Sequence, residues 1–494
     1  MAVYSPLDGQ LVGEVPVCTT ADVTAAVERA RRAQPAWANL SPRRRAERLL
    51  TFRQRLVERR DDLLDLVHWE NGKARYDAFE EFLDVVLTSG YYGAKGARIL
   101  RPEHRPGAIP GLTQVQVNYV PKGVVGVITP WNYPLTLSIS DALAALVAGN
   151  AVILKPDSQT PFTALLLVSL LYEAGFPQDL LQVVTGPGAH LGPPLIEAID
   201  YLMFTGSSAT GARLAEQCGR RLIGCSAELG GKNPMLVLAD ADPERAARGA
   251  VRGCFANSGQ LCMSIERLYV NRAVYDDFTA RFVAETEALR LGTANDWSVD
   301  LGPLIDDSQF AKVDQAVRDA LDHGAVALTG GSPRLDLGPH FYPPTILTGV
   351  DETMALYREE TFGPVVALTP VDSDEMAIRL ANDSTYGLNA SVWSGSARHA
   401  RAVGRQLRCG TVNLNDSYAP AYISLSAPMG GFGRSGLNRR HGPEGLRKYT
   451  EPQTVATQRL MPLVAPPGMA PERFADWATR SSQLLFAPLS RRRR

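Results

Sequence analysis

The sequence predicts an α/β protein built on two open parallel sheets, with a small antiparallel ribbon added to them. Short apolar runs at 124–129, 151–155, 181–184 and 201–204 are each followed by a segment of helical pattern. Strands that are apolar on both faces and alternate with helices build a parallel sheet covered on both sides. A second series of the same rhythm starts with a strand at 235–239 and a helix from Pro243, and runs towards Pro370. A third observation concerns 113–120, where Val115, Val117 and Tyr119 alternate with Gln114, Gln116 and Asn118. That period of two predicts an antiparallel strand with one exposed face.

Taken in chain order, the first hundred residues read as mostly helical. Thr20 caps a segment with Val23, Ala26, Val27 and Ala30 on one face, which is helical spacing. Ser41-Pro42 places a cap and then proline at the first helical position, ahead of Leu49, Leu50, Phe52, Leu56 and Val57. The long apolar region 135–154 is broken by Asp141 and by the turn Ala148-Gly149-Asn150. It therefore reads as a helix followed by a strand, not as a membrane span. Thr160-Pro161 opens the next helix and Gly175 lies just past its end. The stretch 449–457 reads as a strand like 113–120. Such a ribbon is only marginally stable alone, so it either pairs with another subunit or packs as a hairpin within its own chain. The end is proline-rich and then basic, with arginine at 491–494, and reads as a partly mobile tail.

Composition narrows the function. The chain has 494 residues and a formal net charge of −1. That length implies more than one domain, and near-neutral charge gives no reason to expect nucleic acid or an anionic membrane as partner. Six cysteines, at 18, 218, 225, 254, 262 and 409, form no C-x-x-C pair and have no histidine cluster beside them. No metal site and no disulfide framework is expected; reduced thiols in the cytoplasm fit better. The first residues lack a basic region followed by an apolar run, so no signal peptide is expected.

Five stretches carry candidate chemistry. Asn257-Ser258-Gly259-Gln260-Leu261-Cys262 follows a helix and puts a thiol on a loop; a lone cysteine is otherwise most often an inert buried residue. Glu228-Leu229-Gly230-Gly231-Lys232 lies at the junction of the two α/β halves, where clefts form, although a glutamate before two glycines is also a common turn. Thr129-Pro130-Trp131-Asn132 directly follows a buried strand, and ligands in open α/β sheets sit outside such strand ends. Phe204-Thr205-Gly206-Ser207-Ser208-Ala209-Thr210-Gly211 runs from strand to helix start, where free N–H groups favour a phosphate. Lys155-Pro156-Asp157-Ser158 ends a strand with a lysine.

Together these stretches resemble the aldehyde dehydrogenase superfamily from near the N-terminus to about residue 457. The marks are E-L-G-G-K at Glu228, G-Q-x-C at Cys262 and Glu359-Glu360-Thr361-Phe362-Gly363-Pro364. Within the superfamily, 155–161 and 260–267 look most like bacterial succinate-semialdehyde dehydrogenases. The resemblance implies two Rossmann-like domains without the usual glycine fingerprint. The dinucleotide-binding domain would take 1–109, 124–229 and 411–437, the catalytic domain 230–410, and an oligomerisation arm 110–123 with 438–460, leaving 461–494 as tail. It implies that Cys262 attacks an aldehyde, that Asn132 and the Cys262 N–H hold the oxyanion, and that Glu228 activates water against the resulting thioester. Lys155 and Glu360 would hold ribose hydroxyls, Trp131 and Ser207 the pyrophosphate, and Phe362 would pack near the nicotinamide. Thr129, Pro130, Gly206 and Gly211 complete the cofactor set.

Many NAD-using members carry a glutamate where this chain has Ser158. A carboxylate there repels a 2′-phosphate, so NADP is expected over NAD, although Asp157 next door acts against that preference. No cysteine adjoins Cys262, so no local redox switch is expected. Self-association as dimer or tetramer follows from the resemblance, and a distal substrate carboxylate would find Arg267 or Ser264 nearest in sequence. Two rivals remain: a CoA-acylating enzyme, which would not need Glu228 as base, and a silent scaffold, which would have no use for Cys262, Glu228 and Asn132 together.

Overall fold

The protein is described by a computed structural model covering residues 1–107, 113–459 and 464–485. It forms two compact units, one of residues 1–99 with 121–449, the other of residues 100–120 with 450–494.

The first unit holds two large sheets. In the six-stranded one the order is Gly436–Leu437, Gly224–Glu228, Tyr201–Thr205, Val124–Ile128, Ala151–Lys155, Leu181–Val183. All neighbours run parallel except the short Gly436–Leu437 edge. The strands Val124–Ile128, Ala151–Lys155 and Tyr201–Thr205 are buried along their whole length, as strands covered on both faces must be. Strand order reverses at Val124–Ile128, which has Tyr201–Thr205 on one side and Ala151–Lys155 on the other. The loops leaving those carboxyl ends splay apart and open a crevice.

The seven-stranded sheet has the order Val326–Thr329, Thr345–Thr348, Val365–Val371, Ile265–Asn271, Asn233–Val237, Asn389–Trp393, Thr411–Leu414. Its last strand corrects the expected division of the chain. Thr411–Leu414 pairs in parallel with Asn389–Trp393, so the second α/β series continues one step beyond its expected end, and only Gly436–Leu437 returns to the first sheet. The expected boundary at 438 also moves. Residues 438–449 belong to the first unit, where Leu446 and Tyr449 are completely buried.

Local chemistry explains the helix ends. The first long helix, Thr20–Ala38, is capped by Thr19 rather than Thr20, in a reciprocal capping box with Asp22. Ser41 caps Pro42–Glu58 by accepting from the Arg44 N–H; Leu49, Phe52 and Leu56 are buried, whereas Leu50 and Val57 face outward. Gly149 ends Pro134–Ala148 in the left-handed conformation (φ 103°) and lets the chain turn directly into the strand Ala151–Lys155.

The second unit carries a three-stranded sheet in the order Thr450–Gln458, Thr113–Pro121, Glu103–Pro106. Beyond Thr450, the strand Thr450–Gln458 is exposed throughout. The tail holds a helix, Pro471–Leu485, which the sequence reading did not anticipate. The arginines at 491–494, and the expected boundary between 109 and 110, lie outside the described residues. Among the described residues no helix is long and apolar enough to cross a membrane.

Candidate active site

The first site loop leaves the strand Val124–Ile128 and runs through Asn132 to Pro134, where the next helix starts. Its shape is set from beneath by a completely buried ion pair, Lys73 with Glu81. Lys73 Nζ also donates to the Asn132 carbonyl at 2.7 Å. Glu81 Oε2 accepts from the N–H groups of Leu135 and Thr136 at 2.8 and 3.1 Å, a carboxylate satisfying the orphan donors of a helix start. The Asn132 side chain is nearly buried and its Nδ2 donates to the Gln260 carbonyl at 2.9 Å.

The thiol loop begins where the helix Pro243–Phe255 ends. Asn257, Ser258 and Gly259 take left-handed φ values of 52°, 55° and 70° in succession. For the two residues with side chains this costs roughly 1–2 kcal/mol each, and surrounding bonds must hold it. Asn257 N–H donates to Asp77 at 3.0 Å, its Nδ2 to the Asn132 and Gln260 carbonyls at 3.0 and 3.1 Å, and Ser258 Oγ to the Gly302 carbonyl at 2.7 Å. At Gly259 a Cβ would stand 2.0 Å from the Gly363 carbonyl oxygen, so no side chain fits. Asn233 Nδ2 then donates to the carbonyls of Cys262 and Ser264, each at 2.8 Å. Cys262 is left half-buried. Burial pushes its thiol up to about 12, with the positive charge of Arg440 opposing.

Glu228 ends the strand Gly224–Glu228 and is 5% exposed. Its Oε1 has no hydrogen-bond partner among the described residues. Burial raises its carboxyl to about 7 against the pull of Arg440 and Lys448. Those two cations share Asp141: Arg440 in a buried ion pair, Lys448 at 2.9 Å, with the Tyr449 hydroxyl donating to the same carboxylate at 2.9 Å. Burial acts to raise the Asp141 carboxyl, and Arg440 and Lys448 overrule it and hold it well below the usual carboxylate range.

Cys262, Glu228 and Asn132 line one cavity of about 210 Å³, together with Trp131, Glu360 and Phe362. A neighbouring cavity of about 490 Å³ is lined by Thr129, Lys155 and Ser158. The two share Pro130, Trp131, Gly206 and Ser207, so they form one crevice at the strand ends. Twelve of the thirteen sequence candidates meet here. Gly211 is the correction: it lines neither cavity, and a Cβ there would reach Leu229 Cδ2 at 2.5 Å. Its smallness serves the packing of the helix Ser208–Arg220 on the strand end.

The crevice fits a dinucleotide on its own chemistry. Ser207 caps that helix, its Oγ accepting from Thr210 N–H at 3.3 Å, and the helix start supplies donors for phosphate. Lys155 is 3% exposed, its ammonium has no hydrogen-bond or ion-pair partner among the described residues, and burial lowers its pKa with Asp157 opposing. A buried cation left in that state is a group arranged for a ligand. Phe362 stands edge-on to Trp131 with centroids 5.6 Å apart. Glu360 accepts from Gly231 N–H at 2.8 Å, and burial lifts its carboxyl to about 7.

Sequence reasoning missed Gln309 and Lys312, which complete the smaller cavity. Gln309 Nε2 donates to the Phe362 carbonyl at 2.7 Å, a tie that no local motif announces. Arg267 and Ser264 do not reach out for a substrate carboxylate. Arg267 donates to the carbonyls of Lys232, Leu380 and Ala381 at 2.9, 3.1 and 3.0 Å, and Ser264 Oγ to that of Cys254 at 3.0 Å. Both are spent on backbone.

This geometry has relatives. A Mycolicibacterium smegmatis protein named provisionally as a succinate-semialdehyde dehydrogenase (NADP+) is 52% identical over 94% of this chain and 89% of its own length. A 4,4′-diapolycopene aldehyde oxidase from Methylomonas is 38% identical over 93% and 86%. The crystal structure of an NADP-dependent enzyme of E. coli superposes with a TM-score of 0.89 at 35% identity, covering 93% of this chain and 94% of that one. The aldehyde dehydrogenase family model matches residues 1–455. The chain therefore belongs to the aldehyde dehydrogenase family and oxidises aldehydes to carboxylic acids.

Proposed function

We propose that this chain oxidises its aldehyde through a thioester on Cys262 that Glu228 then hydrolyses, with NADP as the preferred cofactor. The supporting observation is the meeting of a thiol, a buried carboxylate and a side-chain amide on one cavity that opens into a second one holding a partnerless lysine. Cys262 Sγ attacks the carbonyl carbon, and Glu228, with a carboxyl near 7, takes the thiol proton that burial otherwise retains. Asn132 Nδ2 and the Cys262 N–H receive the oxyanion; one such donor contributes roughly 3–4 kcal/mol. Bound NADP supplies the acceptor for the hydride that leaves the carbon. Glu228 releases the thiol proton to solvent, then accepts a proton from the water that attacks the thioester and returns it to the departing Cys262 thiolate as the acid leaves. A CoA-acylating enzyme has no need of that base, so Glu228 favours hydrolysis.

Lys155, Ser158 and Glu360 would hold the riboses, Trp131 and Ser207 the pyrophosphate, and Phe362 the nicotinamide end. Thr129, Pro130 and Gly206 form the floor between them. Ser158 Oγ donates to the Gly186 carbonyl at 3.1 Å. Asp157 lines the same cavity; it accepts from Gln159 N–H at 3.0 Å and burial raises its carboxyl, which weakens its repulsion of a phosphate. Both facts favour a 2′-phosphate, as do the names of the NADP-linked relatives.

On this reading the six-stranded half binds the cofactor and the seven-stranded half carries the nucleophile. The exposed strand Thr450–Gln458 suits pairing with a second copy, giving a dimer or tetramer. Six free cysteines fit the reducing cytoplasm. The relatives' names put forward two substrates, succinate semialdehyde and 4,4′-diapolycopene aldehyde. Cys262→Ala tests the whole scheme: aldehyde oxidation is expected to disappear while NADP still binds with wild-type affinity. Residual turnover within tenfold of wild type would overturn it.

A further inference from the structure

We propose that Cys218 and Cys225 form a modification site for hydroperoxides, which close a reversible disulfide between the helix Ser208–Arg220 and the strand Gly224–Glu228 and spare the thiol of Cys262.

The turn between helix and strand brings the two sulfurs together. The helix ends in two interlocking bonds, Ile223 N–H to the Cys218 carbonyl and Leu222 N–H to the Gly219 carbonyl, each at 3.1 Å. Leu222 between them is left-handed, with φ 56°. This is a Schellman ending, more often built on glycine, and it reverses the chain within a few residues. Cys218 in the last turn therefore faces Cys225 at the start of the returning strand, and its thiol donates a hydrogen bond to the Cys225 sulfur. A disulfide needs Cβ atoms about 3.5–4.5 Å apart, and thiols in hydrogen-bond contact are close to that arrangement.

The two sulfurs take different roles. Cys218 is buried, whereas Cys225 is half-buried between exposed Leu222 and Gly224 on one side and the buried strand end on the other. The edge strand Gly436–Leu437 pairs only with Glu228 and Ala227, so it stops short of Cys225. The hydrogen bond from Cys218 lowers the Cys225 thiol to about 7 against the effect of burial, and the thiolate is the form that attacks a peroxide. Burial holds the Cys262 thiol near 12, so it stays protonated in the resting enzyme. The Cys225 thiolate attacks one peroxide oxygen, the O–O bond breaks, and the departing alkoxide (hydroxide from hydrogen peroxide) takes a proton from solvent. Cys225 is left as a sulfenic acid. The Cys218 sulfur then displaces its hydroxyl: the S–O bond breaks, the S–S bond forms, and the hydroxide leaves with the Cys218 proton as water. Two thiols are oxidised by two electrons, one peroxide is reduced, and a dithiol reverses the change. The cross-link lies about 10 Å along the strand from Glu228, clear of the crevice.

The test treats the reduced, full-length enzyme with a small excess of hydrogen peroxide at about pH 7.5, blocks the remaining thiols with N-ethylmaleimide and digests with trypsin without reduction. Arg220 and Arg221 lie between the two cysteines, so the bond joins peptides 214–220 and 222–232 into one species, lighter by two hydrogens than their sum and split by dithiothreitol. That species is expected to form at least tenfold faster than Cys262 loses its maleimide adduct, and the cross-linked enzyme is expected to keep at least half of its aldehyde-oxidising activity. Oxidation of Cys262 ahead of the pair, or loss of activity in step with the cross-link, overturns the inference. A second arm uses Cys218→Ser, which removes the sulfur that closes the bond and leaves Cys225 in place. Its sulfenic acid should then persist and be captured by dimedone on peptide 222–232. Absence of that adduct, with Cys225 still open to maleimide, would show that Cys225 does not meet the peroxide and would overturn the inference as well.

Discussion

The side-chain amide of Asn132 donates to the carbonyl of Gln260 at 2.9 Å, tying the loop of the first sheet to the loop that carries the thiol two residues later. A primary amide has two hydrogens, so one fixes the side chain and the other remains for an oxyanion. Asn132→Ala removes both functions. We expect kcat to fall by about 10²–10³ with NADP affinity unchanged, measured by steady-state kinetics beside cofactor titration. Asn132→Asp, which offers no N–H, should be no better than alanine. A loss confined to KM would contradict the assignment.

Glu228 sets the pH profile. Its carboxyl sits near 7 because burial penalises the charged form, and only the carboxylate can take a proton from water. Activity should therefore rise with pH along a one-proton limb with its midpoint near 7, and Glu228→Gln should abolish that limb. Having also lost the base that takes the Cys262 proton, the variant should release its first equivalent of NADPH per subunit slowly and without a fast burst, and then stall with its thioester intact. Stability moves the other way. The folded state holds this proton more tightly than the unfolded chain, whose carboxyl titrates near 4.5. Stability is thus present at low pH and lost as pH climbs from about 4.5 to beyond 7, by up to about 3 kcal/mol. At pH 8 the glutamine variant should melt above wild type; a lower Tm would show that the charge is paired.

The parallel sheets were legible because their strands are buried on both faces and read as unbroken apolar runs, as in 151–155. The site was legible where one short stretch carries the chemistry, as around Glu228 and Cys262. What the chain hides is contact between distant segments. Asn257 and Ser258 look like ordinary loop residues, and nothing local says that Asp77 and Gly302 hold them left-handed. Lys73 and Glu81 look like surface charges on a helical segment and are completely buried under the Asn132 loop. Thr411–Leu414 is too short to declare its sheet, which only its partner Asn389–Trp393 decides. Gly211 entered the cofactor set through the resemblance alone and instead makes room for Leu229.

Cofactor choice turns on position 158. Ser158 lines the larger cavity with Lys155, and neither side chain repels a 2′-phosphate. Ser158→Glu places a carboxylate there. kcat/KM with NADP should fall by at least tenfold while kcat/KM with NAD holds or rises, so the preference inverts. An equal fall with both cofactors would mean that the substitution damages the loop instead of selecting between them.

The Lys73–Glu81 pair offers the sharpest separation of scaffold from chemistry. Lys73→Met keeps the volume and leaves Glu81 buried without its cation, a state that costs roughly 3–5 kcal/mol. Glu81 must still accept from the N–H groups of Leu135 and Thr136, so it cannot simply withdraw. The single variant should melt several degrees lower. Because Asn132 loses the donor to its carbonyl and keeps only Asn257, kcat should drop about tenfold. Adding Glu81→Gln removes the stranded charge while retaining an acceptor for the helix start. The double variant should therefore recover most of the Tm without recovering kcat, since the Lys73 bond to the Asn132 loop is still missing. Recovery of both together would show that Lys73 supports the fold alone and that Asn257 suffices to hold the amide in place.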